Sequence, residues 1–387
     1  MIKVEKRGVN KLNRVEPQIN TEKKIPVEKD IAAMTQRQLI YRRFKKHRLA
    51  IISIFVLVLF YFVGALAPGF FAPYNKFADF EYTYLPPQPV KFIDDEGNFH
   101  FRPFTYEWKQ ERDPDTWHVT CSLDKSSRHP IYFFVRGAEY KLLGLFKTDI
   151  HLFGVKDANL FVFGTDDLGR DMFSRIVYGV GVSLTIGLVG VAISFFLGLL
   201  LGGLSGLIGG VFDELMQRLI EFLKSIPSIP LWMALSAAIP KEWSALKVYF
   251  AITIILSFLS WTGLARVIRS SVLSIRERDF IKAAESFNAP TSFIIVKHIL
   301  PNMISYIIVR LTLAIPGMIL AETSLSFLGI GLRPPVVSLG VLLKKAQTFQ
   351  TVSMHPWILL PGVFVIVAIL SFNFVGDGIR DAADPYQ

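Results

Sequence analysis

Four stretches of this chain run for 18 residues or more without a charge: Leu49–Ala67, Ile176–Phe212, Val248–Ala265 and Trp357–Val375. Such runs leave a backbone few ways to fold. About 20 apolar residues in a helix cross the hydrocarbon core of a bilayer with every N–H and C=O bonded inside the segment. A soluble domain with one buried helix would not repeat the pattern. Two further runs are less clean. Ser225–Pro240 carries Pro227, Pro230 and Pro240, and Met303–Gly329 holds Arg310, Pro316 and Glu322. Counting both, we expect an all-α polytopic membrane protein with six transmembrane helices. Ile176–Phe212 exceeds one crossing, so part of it is expected to be tilted or interfacial. Composition agrees, with 51% hydrophobic residues, 33 Phe and a mean hydropathy of +0.41.

The first run begins at Leu49, behind a charged segment, and reads as a retained span and not as a cleaved signal peptide. Residues 1–48 hold 14 Lys+Arg against 5 Asp+Glu, nearly all of the chain's net +10. Residues 1–33 read as a solvated tail. The dense end, YRRFKKHR at Tyr41–Arg48, abuts the span and marks the cytoplasmic side, where flanks of spans are rich in Lys and Arg and meet the lipid headgroups. A basic cluster so placed needs no nucleic acid to explain it. Six crossings then put both termini of a multi-pass inner-membrane protein in the cytoplasm. The basic residues between Arg266 and Lys297 fall inside, as do Arg218 and Lys224. Lys344 and Lys345 fall outside, against the trend.

The segment 72–175 has a different character. FIDDEGNFHF (Phe92–Phe101) alternates around an Asp-Glu-Gly-Asn turn, the pattern of a hairpin. Ile131–Val135 and Ile150–Val155 read as further strands, so a β-rich extracytoplasmic insert between helices 1 and 2 is expected. Its aromatic residues Tyr82, Tyr84, Trp108, Trp117 and Tyr132 suit either core packing or a surface for a soluble partner or sugars. Cys121 is the single cysteine; it cannot form an intrachain disulfide and is expected to be packed and inert. His100, His118, His129 and His151 lack ligand spacing, and no Ser/His/Asp or Cys/His constellation accompanies them. No catalytic residues, metal site or cofactor are therefore expected.

LFVFGTDDLGRDMFSRIVYG (Leu160–Gly179) looks at first like a phosphate-binding loop, with four residues between Gly164 and Gly169 after an apolar run. That loop requires Lys and then Ser or Thr, to reach phosphates and hold magnesium. Arg170 and Asp171 stand there instead, and Asp166 and Asp167 would repel a polyphosphate. The turn is expected to use internal Asp–Arg pairing, among Asp166, Asp167, Arg170, Asp171 and Arg175, to set how the second span meets the membrane.

Between the fourth and fifth runs lies DFIKAAESFNAPTSFIIVKHILPN (Asp279–Asn302). Ser274-Ile-Arg-Glu277 has the form of a capping box and predicts a helix start near Ile275. Phe280, Ala283, Ala284 and Phe287 recur at three- and four-residue spacing as one apolar face, while Arg278, Lys282 and Glu285 line another. Asn288 tolerates the left-handed conformation of a helix end, and Pro290 follows. A second helix, Thr291–Leu300, leads through His298 and Pro301 into the fifth span. The apolar face can rest on the protein's own underside or on lipid, or dock into a groove of a cytoplasmic partner.

This stretch resembles the EAA loop of ABC importer permeases. Ala283 and Ala284 match that pattern, as does His298-Ile-Leu-Pro301-Asn302; Lys282 stands where the family often has Glu, and Asn288 where it usually has Gly. GTDDLGRDMFSRIVYGVGVSL (Gly164–Leu184), AETSLSFLGIGLRPP (Ala321–Pro335) and GDGIRDAADP (Gly376–Pro385) are similar to the C-type permease subunit of oligopeptide ABC transporters, though Leu339 replaces a usual Trp. Residues 1–33 and most of the insert lie outside the resemblance. It implies the type I ABC importer permease fold, a second homologous permease, two ATP-binding subunits and an extracytoplasmic substrate-binding protein. Residues 274–301 would be the coupling loop through which ATP-driven closure of the ATPases switches the spans from inward- to outward-facing. Substrates in the family include oligopeptides, oligosaccharides and nickel; oligopeptides lead here, with oligosaccharides as the alternative. The expected organisation is 1–48 as a basic cytoplasmic segment, 49–71 as helix 1, 72–175 as the insert, 176–376 as the transmembrane domain and 377–387 as a tail.

Arg310 and Glu322 lie in or near the fifth span, where ionisable residues are functional candidates by default. Twelve residues at about 1.5 Å each put them roughly 18 Å apart, so they cannot pair within one helix. Both are candidates for the translocation pathway, although Arg310 fits snorkelling inward equally well and a structural role fits Glu322 better. Pro316-Gly317 is expected to kink the helix, and the Gly-rich Leu201–Gly210 run to pack closely on a neighbour. A stand-alone channel or secondary transporter is the rival reading, and it leaves Asp279–Asn302 unexplained.

Overall fold

The computed structural model describes residues 36–78, 80, 82–112, 115, 119–290 and 293–383. The charge run over residues 1–33 lies outside them, as do Trp117, His118 and Thr291. Helix α1 (Gln36–Phe44) leads to α2 (Arg48–Tyr61), where His47 Nδ1 accepts the Ala50 N–H at 3.2 Å. A π-helical turn, Phe62–Leu66, completes this first span. The second span is α3 (Met172–Ile208), followed by α4 (Gly210–Ser225), α5 (Ser228–Ala237), α6 (Ala245–Arg276), α7 (Asp279–Ser286), α8 (Leu300–Phe327) and α9 (Leu360–Ala383).

Among the described residues, five helical stretches are long and apolar enough to cross a membrane: Arg48–Leu66, Met172–Ile208, Ala245–Arg276, Tyr306–Phe327 and Pro356–Ala383. The expected third span, Ser225–Pro240, is not a single helix of that kind. Its apolar part is the ten-residue α5, roughly 15 Å long and half the thickness of a hydrocarbon core. Pro227 has no N–H to donate and pushes Ile226 out of the helical region, separating α5 from the charged α4. The chain nonetheless returns along the bundle here. Contacts advance in parallel along α3 and α6: Ser257 bonds Gly190, Gly198 meets Leu264, and Gly206 meets Val272. Two consecutive spans can run parallel only if the segment between them goes back, so α4 and α5 together make the return.

Glycines set how near α3 and α6 come. A Cβ on Gly206 would lie 2.8 Å from Val272, and one on Gly202 would collide with the Ala265 backbone. Small residues let helix backbones touch where lipid offers no hydrophobic drive for association. The main core runs between the spans through Leu57, Ile186, Leu256, Ile319 and Phe372. A second cluster, with Ile268, Val272, Ile294 and Ile299, lies at the far end of the bundle beneath α7. The N-terminal helices share that end, since Gly378 of α9 packs on Phe44 and Ala50, and Asp381 approaches His47 at 3.8 Å.

At the other end stands the β lobe. Strands β1 (Lys91–Ile93), β2 (Phe99–Arg112) and β3 (Val119–Pro130) form an antiparallel sheet in sequence order, and β4 (Tyr132–Leu142) pairs with β5 (Phe146–Gly154) as a hairpin. The β1–β2 turn closes on Asp94, whose carboxylate accepts the backbone N–H groups of Glu96 and Asn98 and engages His100 and Arg128. β3 was not legible as a strand: VTCSLDKSSRHP is polar and non-alternating, and its pairing with β2 decides its conformation. Cys121 is half-buried beside Gln110, and burial pushes its thiol upward, away from reactivity. Tyr84 stacks on His355 and Tyr132 lies under Arg102 and Lys156, so these rings are engaged within the protein.

Candidate functional site

Helix α7 starts at Asp279, not at Ile275. Ser274 belongs to the last turn of α6, which continues to Arg276, so the capping-box pattern sits inside a helix. The apolar face also divides differently from its sequence spacing. Ile281 is fully buried in the far-end cluster, and Ala284 and Ala289 pack against the same cluster. Phe280 is 38% exposed, Phe287 is 88% exposed, and Ala283 is exposed between them. Ala284 therefore belongs to the anchoring side and not to the outward face. Ile281 was missed because only a tertiary contact separates two apolar edges on so short a helix.

The helix end follows its turn chemistry. Asn288 has φ +55°, Ala289 N–H bonds Ala284 C=O across the turn, and both alanines face the cluster. Beyond it the chain winds as a π-helix, Ile294–Ile299, and not as the expected α-helix. Pro301, at the start of α8, explains this: it donates no N–H and its ring crowds the carbonyl four residues back, which widens the preceding turn. His298 lies in that turn, 6.0 Å from the Phe280 ring and 5.6 Å from Phe293. Lys282 pairs with Glu277 at 3.3 Å on the surface. The result is a short helix pinned from within by Ile281 and showing Phe280, Ala283 and Phe287 outward.

A clamp holds the adjoining helices. Asp213 of α4 receives both Nε and Nη2 of Arg269 on α6, and Ser205 of α3 donates to the same carboxylate.

At the lobe end, Gly164 (φ +74°) and Gly169 (φ +73°) bracket a closed turn. Asp166 accepts from the Leu168 and Arg170 N–H groups, takes the Arg170 guanidinium in a fork at 2.9 and 2.7 Å, and bonds Arg175. Asp171 caps α3 by accepting the Ser174 N–H at 2.7 Å. Trp357 donates to the Thr165 carbonyl, tying the turn to the segment before α9.

Arg310 and Glu322 are placed apart. Arg310 lines a cavity of about 400 Å³ between α3, α6 and α8, with Ser194, Ser260 and Gly317. Glu322 does not line it. It is completely buried, accepting hydroxyl bonds from Ser183 of α3 (3.0 Å), Ser326 (2.8 Å) and Ser338 (2.8 Å). Ser338 also caps the short helix Leu339–Leu343, and Ser183 accepts the Leu339 N–H. No sequence signal marked these three serines as a set.

The family model described as binding-protein-dependent transport system inner membrane component matches residues 194–386. That of the N-terminal TM domain of oligopeptide transport permease C matches residues 35–87. Neither reaches the β strands. Relatives include the oligopeptide transport system permease protein OppC of Haemophilus influenzae, 39% identical over 224 residues, 58% of this chain and 70% of that protein. The dipeptide transport system permease protein DppC of Bacillus subtilis is 38% identical over 224 residues, 58% and 68% of the two chains. Among solved structures, the MetNI methionine ABC transporter in inward-facing conformation aligns at 20% identity and TM-score 0.42, over 55% of this chain and 98% of that one. The chain is a multi-pass inner-membrane permease and belongs to the binding-protein-dependent transport family, as a C-type subunit of its oligopeptide and dipeptide branch.

Proposed function

We propose that this chain is one of two permeases in an ATP-driven importer that moves oligopeptides across the cytoplasmic membrane after delivery by an extracytoplasmic binding protein. Hydrolysis takes place on two separate ATP-binding subunits docked beneath. The observation that carries the reading is the outward face of α7, an apolar surface on a helix that cannot yield, because Ile281 anchors it to α6 and to the turn before α8. A push on Phe280, Ala283 and Phe287 is passed through that cluster to two spans at once, and α3 follows α6 through the glycine contacts. The far end is then cytoplasmic. Tyr41–Arg48, both described chain ends and the clamp residue Arg269 gather there, as the positive-inside rule requires. Arg310 lines the pathway. Glu322 holds the outer ends of α3 and α8 together.

The peptide names of the relatives support the substrate class, and no observation favours oligosaccharides. The test is a tagged pull-down from native membranes in mild detergent, with co-purifying chains identified by mass spectrometry. Two ATP-binding chains and a second permease are expected. Recovery of this chain alone, with transport surviving ATP depletion, would return the channel or secondary-transporter reading.

A further inference from the structure

Lys344 and Lys345 stand on the side of the membrane where the positive-inside rule expects few cations. The structure shows what surrounds them. The Gly164–Asp171 turn faces the segment after α8 across a cavity of about 300 Å³, whose lining includes Arg170, Arg175, Arg333, Lys344 and Lys345. The carboxylates there are already engaged: Asp166 by Arg170 and Arg175, and Asp167 by Lys345. Arg333 and Lys344 are different. Among the described residues neither side chain has an ion pair or a hydrogen bond. Lys344 is exposed, and its Nζ lies close over Gly329, 2.8 Å from where a Cβ would stand. Arg333 borders a second small cavity beside Lys241.

Asp166 also lines the cavity, but the cations outnumber it, and a cleft of one net sign focuses its field and raises the local concentration of the opposite ion. An Arg fork beside an ammonium matches the two oxygens of a carboxylate. We propose that this cavity is a carboxylate-binding site and that it receives the C-terminal carboxylate of the delivered peptide. The assignment rests on the import reading above. Every linear peptide carries that group whatever its side chains, so a site for it serves substrates of differing sequence. An acidic side chain of the binding protein offers the same chemistry, and the experiment separates the two sources.

The complete complex with its binding protein is reconstituted in proteoliposomes, and uptake of one tripeptide is compared as the free acid and as the C-terminal amide. Wild-type uptake of either form tests the import reading; the ratio between them tests the site. The free acid should be preferred. Arg333→Gln with Lys344→Gln should cut free-acid uptake about tenfold, the worth of a charge-assisted hydrogen bond. Amide uptake should not change, and Arg333→Lys with Lys344→Arg should restore the preference. An equal fall for both peptides, with weaker and less salt-sensitive docking of the binding protein, would move the carboxylate to that protein and overturn the peptide assignment. Unchanged uptake and unchanged docking would overturn the site. If neither peptide enters wild-type vesicles the import reading fails, and the docking measurement alone then decides the site.

Discussion

Ile281 in α7 and Phe287, one residue past its end, meet different surroundings: the first is fully buried among side chains of α6 and the turn before α8, and the second is 88% exposed. Six residues apart, Ile281 as anchor and Phe287 on the proposed docking face are expected to respond to different substitutions.

Ala283→Arg should abolish docking of the ATP-binding subunits, lowering ATP-driven uptake by tenfold or more, about the loss expected when a central interface position is blocked. Melting temperature and membrane insertion should stay at wild-type values. Ile281→Ala should instead cost about 2–4 kcal/mol of stability through lost burial and a residual cavity. Thermal unfolding and co-purification, measured on both variants, distinguish them; a destabilised Ala283→Arg protein with intact docking would reverse the assignment.

The Arg269–Asp213 clamp should show coupling in a double-mutant cycle of about 1–3 kcal/mol, as neighbouring charged partners do. In Asp213→Asn, hydrogen exchange in Gly210–Ser225 should quicken at neutral pH; unchanged protection there would show that the clamp does not hold α4.

Burial raises the Asp171 carboxyl from 3.8 to about 6, against the hydrogen bonds from Ser174. A raised folded value means that the stabilising contribution is complete below about 3.8 and disappears as pH rises toward 6, a span of about 3 kcal/mol. Asp171→Asn keeps a capping oxygen without the ionisation. The wild type should lose melting temperature between pH 4 and pH 6, and the variant should lack that decline. Parallel curves would argue against a buried, titrating Asp171.

Glu322→Ala should be severe, about 3–5 kcal/mol, because three buried hydroxyls lose their acceptor and a cavity opens. Glu322→Gln should cost much less, since the serine hydroxyls can rotate to donate or accept. Ser338→Ala should fall near 1 kcal/mol, the worth of a helix cap. Denaturation in detergent orders the three; equal losses for Gln and Ala would mean that charge, and not hydrogen bonding, secures the site.

The membrane class, the β insert and the turn at Asn288 were legible in order alone, because each depends on local chemistry: uninterrupted apolar length, alternation around a turn, and a residue type that accepts φ > 0 more readily than most. What needed the fold was every feature made of residues far apart in the chain. The third span is split because Pro227 divides it, yet only the parallel run of α3 and α6 shows that α4 and α5 carry the chain back. Ser183 and Ser338 meet Glu322 from 139 and 16 residues away, and polar residues so spaced leave no period to read. Helical spacing placed Phe280, Ala283, Ala284 and Phe287 together. Packing drew the line between them, since a helix two turns long presents more than one apolar edge and only its neighbours decide which is covered.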